Sequence, residues 1–347
     1  MTRFEINVSE VAPLGGRFMV GDVFADANLD IDDPIVLVCL PGGGMSRRYF
    51  DLRVPAALGN FSMARHLASA GFVVVTLDHL GIGESSKPLD GYLLTPETVA
   101  DVNAFAVGRV LDDLRAGTLD PSLPPLPALV SVGVGHSAGA SLTVHQQARW
   151  FTHRAIALLG FGGRGLPDRL GEAELAFADN PDALRREIAQ LARARFGDPL
   201  PMQRRGSSSF LVGAPMPEAV HEALVDCRTN LLALVGLSSM VPGNATPEIA
   251  SIDVPVFLGI GSRDIAGPPH QIAAQFTGSG DVTLFVLDDA GHNHNVAPGR
   301  GQLWDRLAAW ARTVAGTRRA AGTRSVGGTD RSGSARCRAS QDEGGRP

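Results

Sequence analysis

Cysteine is scarce in this 347-residue chain: only Cys39, Cys227 and Cys337 occur, far apart. That spacing builds neither a disulfide framework nor a metal site, and it points to a reducing cytoplasm. Lysine is nearly absent, with Lys87 alone against 30 arginines, which is a coding bias rather than a binding signal. The net charge of −5 gives no reason to expect nucleic acid or an anionic membrane as partner. No run approaches the roughly 20 apolar residues needed to span a bilayer. Met1 to Val11 holds no apolar stretch of signal-peptide length. The abundant classes are glycine, with 41 residues, and hydrophobic side chains, at 44%. The hydrophobic content supports a sizeable core, and the length allows one large α/β domain with an insertion.

Apolar strand-like runs recur near residues 35–40, 72–77, 128–134, 155–160, 254–260 and 282–287. Almost all their residues are apolar, as expected of strands buried on both faces of a parallel sheet. Phe18 to Ala25 reads as an edge strand. Helical stretches alternate with the runs, at Ser62–Ala70, Pro96–Arg115, Ala138–Trp150 and Gly301–Val314. In the last, Leu303, Trp304, Leu307 and Trp310 recur at helical spacing, and the tryptophans read as core. More than 90 residues between Gly160 and Val254 carry no strand pattern. Pro181–Phe196 reads there as one helix, and Pro215-Met216-Pro217 opens a second that continues to Leu237.

One apolar run ends in Gly135-His136-Ser137-Ala138-Gly139 and a helical stretch follows it. A sharp strand-to-helix turn forces its central residue into a strained conformation and lifts that side chain clear of the sheet. The two glycines remove Cβ atoms that would clash. Ser137 is therefore a candidate nucleophile. A serine hydroxyl needs a base to take its proton, and the base needs an orienting acid. Asp264 follows the run Val254–Gly261, and His292 follows Val282–Leu287, so both fall beyond strand ends. That edge is where sites are built in open α/β sheets. His294 and His136 compete with His292, and Asp288 and Asp289 compete with Asp264. An aspartate at a strand end is also an ordinary turn residue. Asp289, three residues before His292, is badly placed to grip the same ring.

Negative charge developing on a carbonyl oxygen is stabilised by fixed backbone N–H groups, each worth roughly 3 kcal/mol. The run Pro34–Leu40 leads into Pro41-Gly42-Gly43-Gly44, where glycines allow close backbone approach to a ligand. Ala138 and either Gly43 or Gly44 are the candidate donors. A phosphate loop is excluded because no Gly-Lys-Ser/Thr follows.

Pro41–Gly44, Asp78–Ser85 (Asp-His-Leu-Gly-Ile-Gly-Glu-Ser), the Ser137 turn, Gly261–Asp264 and Gly291-His292 together resemble the α/β-hydrolase superfamily over about residues 15 to 315. The resemblance implies an α/β-hydrolase fold: a mostly parallel central sheet flanked by helices, with a helical cap inserted over residues 163–252 between core segments 1–162 and 253–315. It implies a serine hydrolase of esterase or lipase type. Ser137, Asp264 and His292 would be catalytic, Gly43, Gly44 and Ala138 would form an oxyanion hole, and no cofactor or metal would be needed. The substrate would be a small hydrophobic acyl compound. Thioesterases, amidases and C–C bond hydrolases share the same triad. Many relatives open the oxyanion loop with His-Gly, whereas Pro41 stands here and has no N–H to donate. The family role of Asp78–Ser85 is structural.

A dinucleotide-binding enzyme would superficially suit Gly133-x-Gly135, but that motif wants an acid about 20 residues on. Ser137 to Pro167 contains neither Asp nor Glu. A non-catalytic ligand-binding member of the fold would show a missing triad residue, and none is missing. Residues 316–347 hold seven arginines and three acids with almost no large apolar residue, and so are expected to form a disordered tail.

Overall fold

In the computed structural model, residues 1–202 and 215–322 are described. Eight strands form one sheet: β1 (Thr2–Asn7), β2 (Phe18–Phe24), β3 (Ile35–Leu40), β4 (Val73–Leu77), β5 (Val130–His136), β6 (Ala155–Leu159), β7 (Val256–Gly261) and β8 (Val282–Leu287). The helices are α1 (Met63–Ser69), α2 (Pro96–Ala116), α3 (Ala138–Trp150), α4 (Glu172–Leu175), α5 (Pro181–Phe196), α6 (Glu218–Asp226), α7 (Ala233–Met240), α8 (Thr246–Ser251), α9 (Pro269–Ala273) and α10 (Arg300–Gly322). The strand order is β1-β2-β4-β3-β5-β6-β7-β8. β3 to β8 run parallel, and β1 and β2 are antiparallel to their neighbours.

Alternate residues of the central strands face opposite layers. Leu37, Cys39, Val132 and Val134 pack with α1 and with Leu303, Trp304, Leu307 and Trp310 of α10. Val36, Val38, Val73 and Val75 pack with Val99, Val102 and Val107 of α2. Local signals set the helix ends. Thr95 accepts from the Thr98 N–H ahead of Pro96, and α2 stops where Gly117 turns left-handed at φ 72°.

Three expectations need correction. Phe18–Phe24 is not an edge strand: β1, too polar to stand out, pairs along its whole length and forms the edge itself. The helix expected from Pro215 to Leu237 is broken. Residues 227–232 are not helical: the Cys227 carbonyl and the Thr229 amide bond Ser46 and Gly44 of the glycine loop, and the Leu231 amide bonds the Pro201 carbonyl. The last helix runs on to Gly322, past the expected start of the tail at Gly316, where Arg318, Arg319, Ala320 and Ala321 are good helix formers. The rest of the expected tail, and Cys337, lie outside the described residues. At the far edge, β8 is only half-buried over most of its length.

Between β6 and β7 the described residues form helices and no strand. Leu184 and Ile188 of α5 pack on Ala233, Leu234 and Leu237 of α7 in a small core of their own. Arg185 of α5 ties this layer to the sheet layer by bonding Glu97 of α2 at 3.0 Å and Glu248 of α8. Residues 1–315 form one compact unit. No described helix is long and apolar enough to cross a membrane.

Candidate active site

Ser137 ends β5 and opens α3 with φ 53° and ψ −121°, a strained backbone for a residue with a side chain. Its neighbours are glycine for a steric reason. A Cβ on Gly135 would lie 2.4 Å from the Ala140 Cα, and one on Gly139 would lie 2.3 Å from the Leu40 carbonyl oxygen. The Ser137 N–H donates to the Leu159 carbonyl at 2.8 Å and locks the turn to β6.

Asp264 and His292 follow β7 and β8, and the sheet brings all three residues together. His292 Nε2 lies 2.7 Å from Ser137 Oγ, and its Nδ1 lies 2.7 Å from Asp264 Oδ1. The imidazole is buried and the Asp264 side chain has no exposed surface. Burial alone would raise the Asp264 carboxyl, but His292 and His294 outweigh it and hold it well below the usual carboxylate range. An ionised carboxylate only accepts, so His292 Nδ1 carries the proton and Nε2 offers its lone pair to the Ser137 hydroxyl.

His294, His136 and Asp289, which competed for these places, have other partners. His294 does not reach Ser137; its Nε2 donates to the other oxygen, Asp264 Oδ2, at 2.8 Å. His136 points away from the turn: it stacks on Tyr49 with ring centroids 4.5 Å apart, and its Nε2 donates to the His292 carbonyl at 2.9 Å. Burial first, then the neighbouring His292 and His294, hold its pKa well below that of a free imidazole, so it stays neutral. Asp289 faces outward toward Arg263, its side chain 85% exposed.

Gly42 to Met45 form a tight turn in which the Met45 N–H donates to the Gly42 carbonyl at 3.1 Å and Gly44 has φ 72°. Gly43 lies against Ala138: a Cβ built on it would be 3.7 Å from the Ala138 Cβ. Ala138 is the first residue of α3, so its N–H has no partner within the helix. The turn is fixed from two sides. His79 Nε2 donates to the Pro41 carbonyl at 3.1 Å and is itself held by Asn103. On the other side, Ser46 N–H donates to the Cys227 carbonyl at 2.7 Å and Thr229 N–H donates to the Gly44 carbonyl at 2.9 Å. The Thr229 hydroxyl accepts from Gly83 N–H at 2.8 Å.

Asp78 anchors the loop after β4. Its carboxylate accepts from the Arg47 amide and Nη1, each at 2.6 Å, and from the Glu84 N–H at 3.0 Å. Arg47 also bonds Asp22 at 2.8 Å. Burial works against the Arg47 charge, but Asp78 and Asp22 more than offset it and raise its pKa.

Sequence reasoning missed Tyr49, Asn295 and Thr229. Asn295 binds the Tyr49 carbonyl through Nδ2 at 3.1 Å and accepts from Trp304 Nε1 at 3.0 Å, fixing the loop that carries His292. Its trace in the sequence is the polar run His292-Asn293-His294-Asn295, which is buried throughout.

The model of an alpha/beta hydrolase family matches residues 37–301. No curated protein matches. Among solved structures, the chain is similar to a monoacylglycerol lipase from Paleococcus ferrophilus, with TM-score 0.59 and 17% identity, covering 85% of this chain and 99% of that one. It is also similar to an esterase from Exiguobacterium antarcticum, with TM-score 0.56 and 15% identity over 85% of this chain and 96% of the other. A proline iminopeptidase from Mycobacterium smegmatis aligns with TM-score 0.56 and 15% identity, over 91% of this chain and 100% of that one. At these identities the likeness shows the shared fold.

Proposed function

Because the chain belongs to the α/β-hydrolase family, a fold that hosts many chemistries, we propose from its site that it is a serine hydrolase cleaving a carboxylic ester of a small substrate. The observation that carries this reading is the unbroken relay of 2.7 Å contacts from Ser137 Oγ through His292 to Asp264. In the proposed cycle, Ser137 Oγ attacks the ester carbonyl while His292 Nε2 takes its proton. The tetrahedral oxyanion is held by the Ala138 N–H and by Gly43 or Gly44. His292 then protonates the leaving alcohol, and the acyl-enzyme remains. Water, deprotonated by the same Nε2, releases the acid. Asp264 keeps the imidazole in the right tautomer, and His294 holds the far carboxylate oxygen so that the near one faces His292. Leu231, Leu232 and Val235 wall a narrow apolar cleft of about 10 Å³ beside the glycine turn, so the surface next to the oxyanion site is apolar. The buried free thiols Cys39 and Cys227 fit a cytoplasmic setting.

The test is labelling with a fluorophosphonate, wild type beside Ser137→Ala, read by intact mass. One adduct that vanishes in the variant is expected, together with loss of turnover on p-nitrophenyl esters. A folded wild-type protein that takes no adduct and turns over no ester would overturn the proposal. Matched thioester and amide substrates separate ester cleavage from the neighbouring chemistries of the same triad.

A further inference from the structure

His294 has no step of its own in the proposed proton transfer, yet it is held as firmly as the residues that do. It is 1% exposed and opens a short helical turn, His294–Val296, in the loop after β8. The core clamps this loop. The His292 carbonyl accepts from the His294 N–H at 3.1 Å and from His136 Nε2 at 2.9 Å. The next residue, Asn295, is bonded to Tyr49 and Trp304. The ring of His294 is thereby fixed with Nε2 2.8 Å from Asp264 Oδ2. Its other nitrogen, Nδ1, is buried and has no partner among the described residues. A proton added there would be a buried donor without an acceptor, so the ring serves Asp264 as a neutral Nε2–H donor.

The Asp264 carboxylate is thus divided between two imidazoles. Oδ1 accepts from His292 Nδ1 at 2.7 Å and from the Ala266 N–H at 2.9 Å, while Oδ2 accepts from His294. Three titratable groups face His294: Asp264 beyond β7, His136 at the end of β5 with ring centroids 5.8 Å apart, and His292 on the same loop at 6.4 Å. Tyr49 stands behind His136. Asp264 supplies the negative charge of this set. Each hydrogen bond that a carboxylate accepts draws on the same charge, so less of it remains to favour a positive imidazolium at His292. We infer that His294 is a positioning residue that acts through Asp264. By occupying the far oxygen, it keeps His292 free to take the Ser137 proton at lower pH than Asp264 paired with His292 alone would allow. This rests on the hydrolase reading above.

The experiment measures the rate of fluorophosphonate labelling from about pH 5 to about pH 9, the range in which imidazoles titrate. It compares wild type with His294→Gln, His294→Leu and His294→Asn, and thermal unfolding of each variant checks that it is folded. Glutamine can place its amide nitrogen where Nε2 stands and so keeps the donor. Leucine removes the donor, and the shorter amide of asparagine ends before Oδ2. The asparagine variant keeps a polar side chain in a polar site and serves where the leucine variant fails to fold. The acid limb of the labelling rate is expected to move up by about one pH unit in His294→Leu and His294→Asn, and to stay with wild type in His294→Gln. A limb that the donor-free variants leave in place overturns the inference, as does an equal shift in His294→Gln. A wild type that labels while the variants show no such shifts loses only the role of His294. A folded wild type that takes no label at any pH loses the hydrolase reading and this role with it.

Discussion

Asp264 and Asp78 both follow parallel strands at the same end of the sheet, and neither side chain has any exposed surface. They differ in what faces them. Asp78 faces Arg47, whose guanidinium keeps its charge at any working pH. Asp264 faces two imidazoles, His292 and His294, which can gain and lose protons. Burial makes both carboxylates costly to leave unpaired. The permanent partner turns that cost into a rigid clamp joining residues 22, 47, 78 and 84. In the proposed mechanism, the imidazole partner makes the other carboxylate the anchor of a proton relay. The depth is the same, and the chemistry of the partner is what differs between the two aspartates.

The comparison is broken most sharply by Asp264→Asn. The amide can donate to His292 Nδ1 and so favours the tautomer whose Nε2 already bears a proton. A fall in kcat/KM of about 10⁴ is expected, with the thermal unfolding transition retained. If turnover survives, Asp264 is a second clamp like Asp78. The converse change, Arg47→Met, strips Asp78 and Asp22 of their buried counter-charge. It should lower the unfolding free energy by about 3–5 kcal/mol in urea titrations. An unchanged urea midpoint would mean that backbone donors alone hold Asp78.

Acid response gives the smallest and most specific test. The folded Asp264 carboxyl stays ionised well below the usual range, while the unfolded chain takes up a proton near pH ~4. The stabilisation is therefore fully present above that value. It is lost as pH falls through the folded-state pKa, at up to about 1.4 kcal/mol per pH unit. Urea unfolding between pH 5 and ~3 should show a shallower acid decline for Asp264→Asn than for wild type. Parallel declines would contradict the charge assigned to this carboxylate.

Much of this could be read along the chain. The interior strands showed as apolar runs because both of their faces are covered, and the turn at Ser137 showed through its two glycines. β1 did not show, because an edge strand with one exposed face keeps polar residues such as Arg3 and Glu5. The break between α6 and α7 was equally hidden. Nothing in Cys227 to Leu232 opposes a helix strongly, and the segment unwinds where its backbone groups bond residues distant in sequence, Gly44, Ser46 and Pro201.

The same division runs through the site. Position after successive strands narrowed the candidates to Ser137, to Asp264 against Asp288 and Asp289, and to His292 against His294 and His136, and the family resemblance chose Ser137, Asp264 and His292 among them. The sequence could not assign His292 to Ser137 and His294 to the far oxygen of Asp264, because two histidines two residues apart differ only in where the folded loop aims them. The sequence by itself determined which elements form and which reactive groups stand at their ends, because local sterics and burial period act over neighbouring residues. Tertiary structure alone decided which of those groups meet, because contacts such as that between Ser137 and His292 join residues that only the assembled sheet brings within 2.7 Å.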